Sequence, residues 1–369
     1  MRDIVGNTNN NTLKEIFNDK PMRDLRLDFI AGKEPKTCSR CFEQERMGQS
    51  SLRNHIDRNF GQHKDLIATT LQDGTVEDMR LVYWDFRFSN ICNMKCRSCG
   101  PQLSSGWYED EKKLNGRLPP DVPDRTIESN LWEDLLPHFD WVEEIYFAGG
   151  EPLIMEEHYR ILNRLLELEK TDVRIRYNTN FSTMRYKKLD AIDAWSNFKN
   201  VEIGASLDGM GKQAEYIRSG TKWQQVLDNR ERMKLKVPHA NFYINCTVSV
   251  QNAYHIVDFY KWAVESDFIP YVDSFRINIV QNPLKLRMQM LPTHHKQALT
   301  KLYKETAEWA KTKGSNGLVV DQWESLINFL NDQDQPENLE QFKTYMGAID
   351  NIRNESFAET FPEMRDLIE

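Results

Sequence analysis

A chain of 369 residues with 40% hydrophobic content is long enough for one large α/β domain and an appendage, length being only a soft guide to domain number. Its formal net charge is −8 with both signs interspersed. That leaves no basic stripe for DNA or RNA, and no apolar run reaches the length that spans a bilayer. The polar start MRDIVGNTNNNTLKEIF has no apolar stretch for a secretory signal, so neither nucleic acid nor a membrane is expected as partner, and a cytoplasmic location is expected.

The first 78 residues carry the Asn-rich start, a helical fragment TLKEIF, the pair Cys38 and Cys41 and a polar helix-like stretch, and they read as an appendage. From about residue 80, strand-like and helix-like pieces alternate. LVYWDFRF (81–88) is expected as a strand, followed by a cysteine loop and a helix from Leu103 to Leu114. GRLPPDVPD (116–124) is a loop by its Gly and Pro punctuation. WVEEIYFA (141–148) is a second strand that runs into GGEP, and Glu156 to Lys170 places Tyr159, Leu162, Leu165, Leu166 and Leu168 near helical spacing. VRIRYNTN (173–180), VEIGASLD (201–208), NFYINCTVSV (241–250) and SFRINIV (274–280) are further strands. Helices are expected between them at Thr183 to Trp195, Trp223 to Leu235 and Asn252 to Glu265. Beyond Asn282 the pattern is mainly helical, from His294 to Lys311, Val320 to Asn331 and Pro336 to Arg353. The expected division is an appendage at 1–78, a core at 79–282 and a helical extension at 283–369.

Alternating strands and helices imply a parallel sheet with right-handed crossovers, which suits either an open doubly wound sheet or a partial barrel. Both place the active site at the carboxyl ends of the strands. Those positions hold Cys92 to Cys99, Gly149 to Glu151, Asn178 to Asn180, Ser206 to Asp208 and Thr247 to Ser249.

Of the six cysteines, Cys38, Cys41, Cys92, Cys96 and Cys99 fall in two tight clusters, poor as disulfide staples but good as metal claws. In SNICNMKCRSC, three thiolates on one loop can hold three corners of an iron–sulfur cubane and leave the fourth iron without a protein ligand. The same soft ligands suit a structural zinc ion completed by Cys246 or a histidine. Cys246 itself sits in an apolar strand-like run and reads as a buried thiol.

The three-then-two spacing resembles the radical S-adenosylmethionine (SAM) signature, and the likeness runs in register over roughly residues 80 to 280. It implies a partial (β/α)6 barrel of TIM type and a 4Fe-4S cluster on Cys92, Cys96 and Cys99. The free iron would bind SAM, and a reductant such as flavodoxin or ferredoxin would supply the electron that releases a 5′-deoxyadenosyl radical. AGGEP looks like the family's glycine-glycine-glutamate motif: Gly149 and Gly150 would let backbone approach the methionine moiety, and Glu151 would accept from its ammonium. YNTN and SLDG are similar to two further family segments, which makes Asn180, Ser206 and Asp208 candidates for polar contacts to SAM. EYIRSG is similar to a further family segment, and the resemblance would place Arg218 near the SAM carboxylate. One departure is Ser98, where the family commonly has an aromatic residue that packs on adenine.

The segment from Gly6 to Glu45, with Cys38 and Cys41, resembles the twitch or SPASM auxiliary-cluster region of radical SAM enzymes that act on peptides. A further cysteine-bearing hairpin of that region would lie upstream of Met1. The pair is therefore expected to take part in metal binding, as half of a possible auxiliary iron–sulfur site, with a peptide or protein as substrate. Zinc-finger use of His55 and His63 is disfavoured by their separation. A radical SAM enzyme acting on a small metabolite, and a zinc-stabilised binding module without catalysis, are the alternatives.

Overall fold

The computed structural model describes residues 5–48, 50–122 and 131–369. Residues 123 and 124 of the loop expected at 116–124, and 1–4 of the polar start, lie outside the described residues.

The chain contains strands β1 (Tyr83–Phe86), β2 (Glu144–Phe147) and β3 (Arg174–Thr179), a short antiparallel pair β4 (Arg185–Tyr186) and β5 (Leu189–Asp190), then β6 (Val201–Ala205), β7 (Asn241–Val248) and β8 (Phe275–Ile279). The main sheet has six parallel strands in the order β1-β2-β3-β6-β7-β8. A doubly wound sheet reverses its strand order at a switch point. Here the order follows the sequence without reversal, so right-handed crossovers carry the helices to one face, and the architecture is the partial barrel that the resemblance implied.

The two faces of this sheet differ in chemistry. On β7, Phe242, Ile244, Cys246 and Val248 are buried, and the alternate residues Tyr243, Asn245 and Thr247 are half-buried. On β3, Ile175, Tyr177 and Thr179 alternate in the same way with Arg176 and Asn178. Period-two alternation thus sends apolar side chains to one face and polar ones to the other. The polar face is knitted across strands: Arg176 pairs with Glu202 at 3.2 Å, Tyr243 donates to Glu202 at 3.1 Å, and Asn245 donates to Asn178 at 2.7 Å. Gly204 lies between these groups, and a Cβ there would sit 2.6 Å from the Asn245 amide nitrogen and 2.7 Å from the Asn178 oxygen.

One expected element changes. Residues 183–195, expected as one helix, begin with the β4–β5 hairpin, and only Ala191–Trp195 is helical. Lys187 turns the hairpin at φ +54°, and Asp190 then caps the short helix by accepting from the Asp193 amide. Tertiary context overrides helical spacing here.

Two compact units are resolved. The described residues of Met1–Trp84 and Thr126–Glu144 form one. Its helices include Leu13–Phe17, capped by Thr12, and Lys20–Ile30, Ser39–Arg46 and Leu52–Phe60, none of which has a fully buried residue. Within it Trp84 and Phe139 form a T-shaped pair, with ring centroids 5.1 Å apart. Asp85–Arg125 with Ile145–Glu369 form the other unit, which includes helices Thr293–Thr312, Leu318–Asp332 and Asn338–Arg353. Within it Gln322 accepts from the Ile277 amide at 2.6 Å, so Leu318–Asp332 satisfies the edge strand β8. Among the described residues no helix is long and apolar enough to cross a membrane.

Candidate active site

The loop after β1 is held from several sides. The amides of Lys95 and Arg97 donate to the carbonyls of Ser219 and Ile217 at 2.9 Å, and the Cys99 amide closes back on the Cys96 carbonyl at 3.0 Å. The Trp107 indole donates to the Cys96 carbonyl at 2.9 Å. Cys92, Cys96 and Cys99 are free, half-buried thiols on this frame. Burial pushes the Cys92 thiol up to about 12 and Cys99 to about 11, and it raises Cys96 as well. These sulfurs therefore stay protonated until a metal displaces the proton.

The loop after β2 meets this frame backbone to backbone. Gly150 donates to the Ser89 carbonyl at 3.1 Å and Glu151 to the Ile91 carbonyl at 2.8 Å. Gly149 adopts φ +108°, and a Cβ on Gly150 would lie 2.1 Å from the Ile91 carbonyl oxygen, so no larger residue fits there. The Glu151 side chain is fully buried. One carboxylate oxygen accepts from the Leu153 amide at 3.2 Å and the Thr179 hydroxyl at 2.7 Å, and the other accepts from the Asn180 amide at 2.7 Å. Burial lifts this carboxyl to about 7 against those hydrogen bonds. Glu151 thereby ties the ends of β2 and β3 together. Asn180 donates to Asn93 at 2.8 Å and accepts from Ser182, which joins the same strand ends to the cysteine loop.

At the ends of β6 and β7, the Ser206 amide donates to Thr179 at 2.7 Å. Asp208 is buried, accepts from the Thr247 amide at 2.7 Å and pairs with Arg218 at 2.7 Å. Arg218 also reaches the Cys96 sulfur at 3.7 Å, and burial works against a charge that Asp208 and then Cys96 sustain, holding the guanidinium above its usual range. Two residues proposed for separate contacts thus form one ion pair beside a thiol. Cys246 is buried.

Cys92, Cys96, Cys99, Gly149, Gly150, Glu151, Asn180, Ser206, Asp208 and Arg218 are all linked through this strand-end network. Cys38 and Cys41 belong to the other unit, half-exposed, where with His63 and Arg53 they line a cavity of about 470 Å³.

Sequence reasoning missed the supports. Thr179 and Asn93 hold Glu151 and Asn180, and Asn252 donates to the Asp208 carbonyl at 2.9 Å. The largest omission is Arg97, fully buried between two of the cysteines. It pairs with Asp350 at 2.6 Å and Glu355 at 2.5 Å, while its carbonyl accepts from Tyr345 at 2.7 Å. Arg353 and Lys95 converge on buried Asp110 at 2.8 and 2.9 Å. An arginine in a loop that must be buried needs partners, and that is the one signal the sequence offered.

Residues 86–263 match the family model described as the Radical SAM superfamily. The chain carries a radical SAM domain. Radical SAM domains use a 4Fe-4S cluster and SAM, and the donor set fits: three thiols on one pinned loop, with the Met94 amide 3.4 Å from the Cys92 sulfur and Arg218 beside Cys96. Solved structures similar to the chain include native anSMEcpe with bound AdoMet, at 19% identity and TM-score 0.43, covering 64% of this chain and 62% of that one. Another is Streptococcus suis SuiB bound to S-adenosylmethionine, at 14% identity and TM-score 0.41, covering 79% of this chain and 62% of that one. The chain spans about three fifths of the length of these structures. No curated protein matches it.

Proposed function

We propose that the chain is a radical SAM enzyme in which Cys92, Cys96 and Cys99 hold the cluster and the ends of β2, β3, β6 and β7 bind SAM. Bound there, a 4Fe-4S cluster would supply the electron that cleaves SAM reductively to a 5′-deoxyadenosyl radical. The protein's part is positional. Gly149 and Gly150 bring backbone against the cysteine loop, Glu151 fixes two strand ends and offers its remaining lone-pair capacity to the SAM ammonium, and Asp208 with Arg218 balances charge beside Cys96. Asn180 and Ser206 supply further polar contacts.

The observation that carries this reading is the direct seam between the cysteine loop and the Gly-Gly-Glu loop, the Glu151 amide on the Ile91 carbonyl at 2.8 Å. A zinc-stabilised binding module has no use for a carboxylate buried behind that seam. The half-buried sheet face, lined by Arg176, Asn178, Glu202, Tyr243 and Asn245, suits a polar, hydrogen-bonding substrate over a lipid precursor, in keeping with a peptide or protein side chain. The segment 1–78 is read as an auxiliary region in which Cys38 and Cys41 contribute to a second metal site, and a flavodoxin- or ferredoxin-type protein as the reductant.

Anaerobic reconstitution with iron and sulfide tests the core of the proposal. The expected result is a brown protein that releases 5′-deoxyadenosine with dithionite and SAM. A colourless protein that retains zinc through dialysis, and leaves SAM intact, would overturn it.

A further inference from the structure

Away from the cysteine loop, two elements of the same compact unit bring metal-ligand side chains to one point. The first turn of helix Thr293–Thr312 presents His294 and His295, and the turn Pro362–Leu367 presents Asp366. Their donor atoms all lie within 4.8 Å of one another. His295 is 5% exposed at its side chain, with Nε2 3.0 Å from Asp366, and His294 Nε2 is 3.3 Å from the same carboxylate. The other ring nitrogen of His295 meets the Tyr254 hydroxyl at 2.9 Å. Such a second contact fixes the ring orientation of a metal-binding imidazole. The surroundings are acidic: Glu363, one turn before Asp366, is held above its ordinary range by burial and then by the neighbouring charge of Asp258.

We propose that His294, His295 and Asp366 form a divalent transition-metal site of the zinc class, separate from the cysteine loop. Two imidazoles and a carboxylate make a nitrogen–oxygen donor set suited to Zn²⁺ and its neighbours, with water completing the coordination. An ion there ties the end of the chain, 71 residues distant in sequence from His295, to the start of Thr293–Thr312. The tail it secures also reaches back towards the core, since the Phe361 ring meets Tyr216 at 5.6 Å and the Thr360 carbonyl accepts from Gln213 at 3.3 Å.

The test titrates Co²⁺ into the full chain and into a His294→Gln, Asp366→Asn double variant. Both side chains are at least half exposed, so the fold is retained, which circular dichroism checks. The wild-type chain should bind one Co²⁺ more than the variant, with d–d absorption but no added sulfur-to-cobalt charge-transfer band in the difference spectrum. Tyr254→Phe should weaken that ion by about tenfold, the low end for loss of a contact behind a ligand. Equal stoichiometry and affinity in the wild type and the double variant would overturn the site, as would a difference spectrum dominated by sulfur charge transfer.

Discussion

The chain presents cysteines twice, and the two settings differ in what lies behind them. Cys92, Cys96 and Cys99 sit on a loop whose amides are fixed by residues 217–219 and whose Arg97 is buried against Asp350 and Glu355. Cys38 and Cys41 lie at the turn Lys36–Cys38 and on the helix Ser39–Arg46, neither of which has a buried residue. Spacing nominates both as metal ligands. A reactive cluster site also needs its ligands held in place by a further layer of contacts, and that layer is dense around the first group and thin around the second.

The largest test of this contrast removes a ligand. Cys92→Ala, Cys96→Ala or Cys99→Ala should each abolish 5′-deoxyadenosine release and lower cluster iron, measured by iron and sulfide analysis, since thiolates are the dominant iron ligands. A variant that kept full activity would break the comparison.

Next is the support. Arg97→Met leaves Asp350 and Glu355 facing a lost charge, and removing one partner of a buried pair costs about 3 kcal/mol or more. The urea midpoint should fall accordingly, and iron retention should fall with it although every cysteine remains. An unchanged midpoint would mean that the ion pairs are incidental to the loop.

Glu151 allows a finer test. Its carboxyl is raised by burial from an ordinary 4.5 to about 7. A carboxyl raised in the folded state stabilises the fold while protonated, so its contribution is complete below 4.5 and is lost as pH climbs through 7. The size is on the order of 3 kcal/mol. Glu151→Gln should flatten that part of the stability profile, read from urea midpoints across the window in protein without added metal. Glu151→Ala should keep the cluster while weakening SAM binding by roughly 1–3 kcal/mol, the scale of a charge-assisted hydrogen bond. Loss of iron in that variant would contradict the role assigned to Glu151.

The smallest effect belongs to the N-terminal pair. Cys38→Ala with Cys41→Ala should move stability by no more than about 0.5 kcal/mol, because both side chains are half-exposed. If the pair binds metal, the double variant loses iron beyond one cubane's worth. An iron count equal to that of the wild type removes the auxiliary site.

Legibility followed the range of the interactions. The strand from 241 to 248 was visible because Phe242, Ile244, Cys246 and Val248 alternate with polar residues, and alternation needs only neighbours to be read. The stretch 183–195 misled because its apolar spacing suits a helix, while the β4–β5 hairpin and the Asp190 cap decided otherwise. Glu151 was legible as a candidate from its motif. That its carboxylate is already engaged by Thr179, Leu153 and Asn180 was not, since Thr179 lies 28 residues away.

By itself the sequence determined the donor set and the sheet: three thiols on one loop, a Gly-Gly-Glu turn at the next strand end, and enough alternation to imply a parallel sheet. Those are local properties, set by residues within a few positions of one another. The tertiary structure alone decided the strand order, the pairing of Asp208 with Arg218, and the acidic partners of Arg97, the nearer of which is 253 residues away. A buried charge must find its counter-charge wherever the folded chain brings one, and no local pattern records where that is.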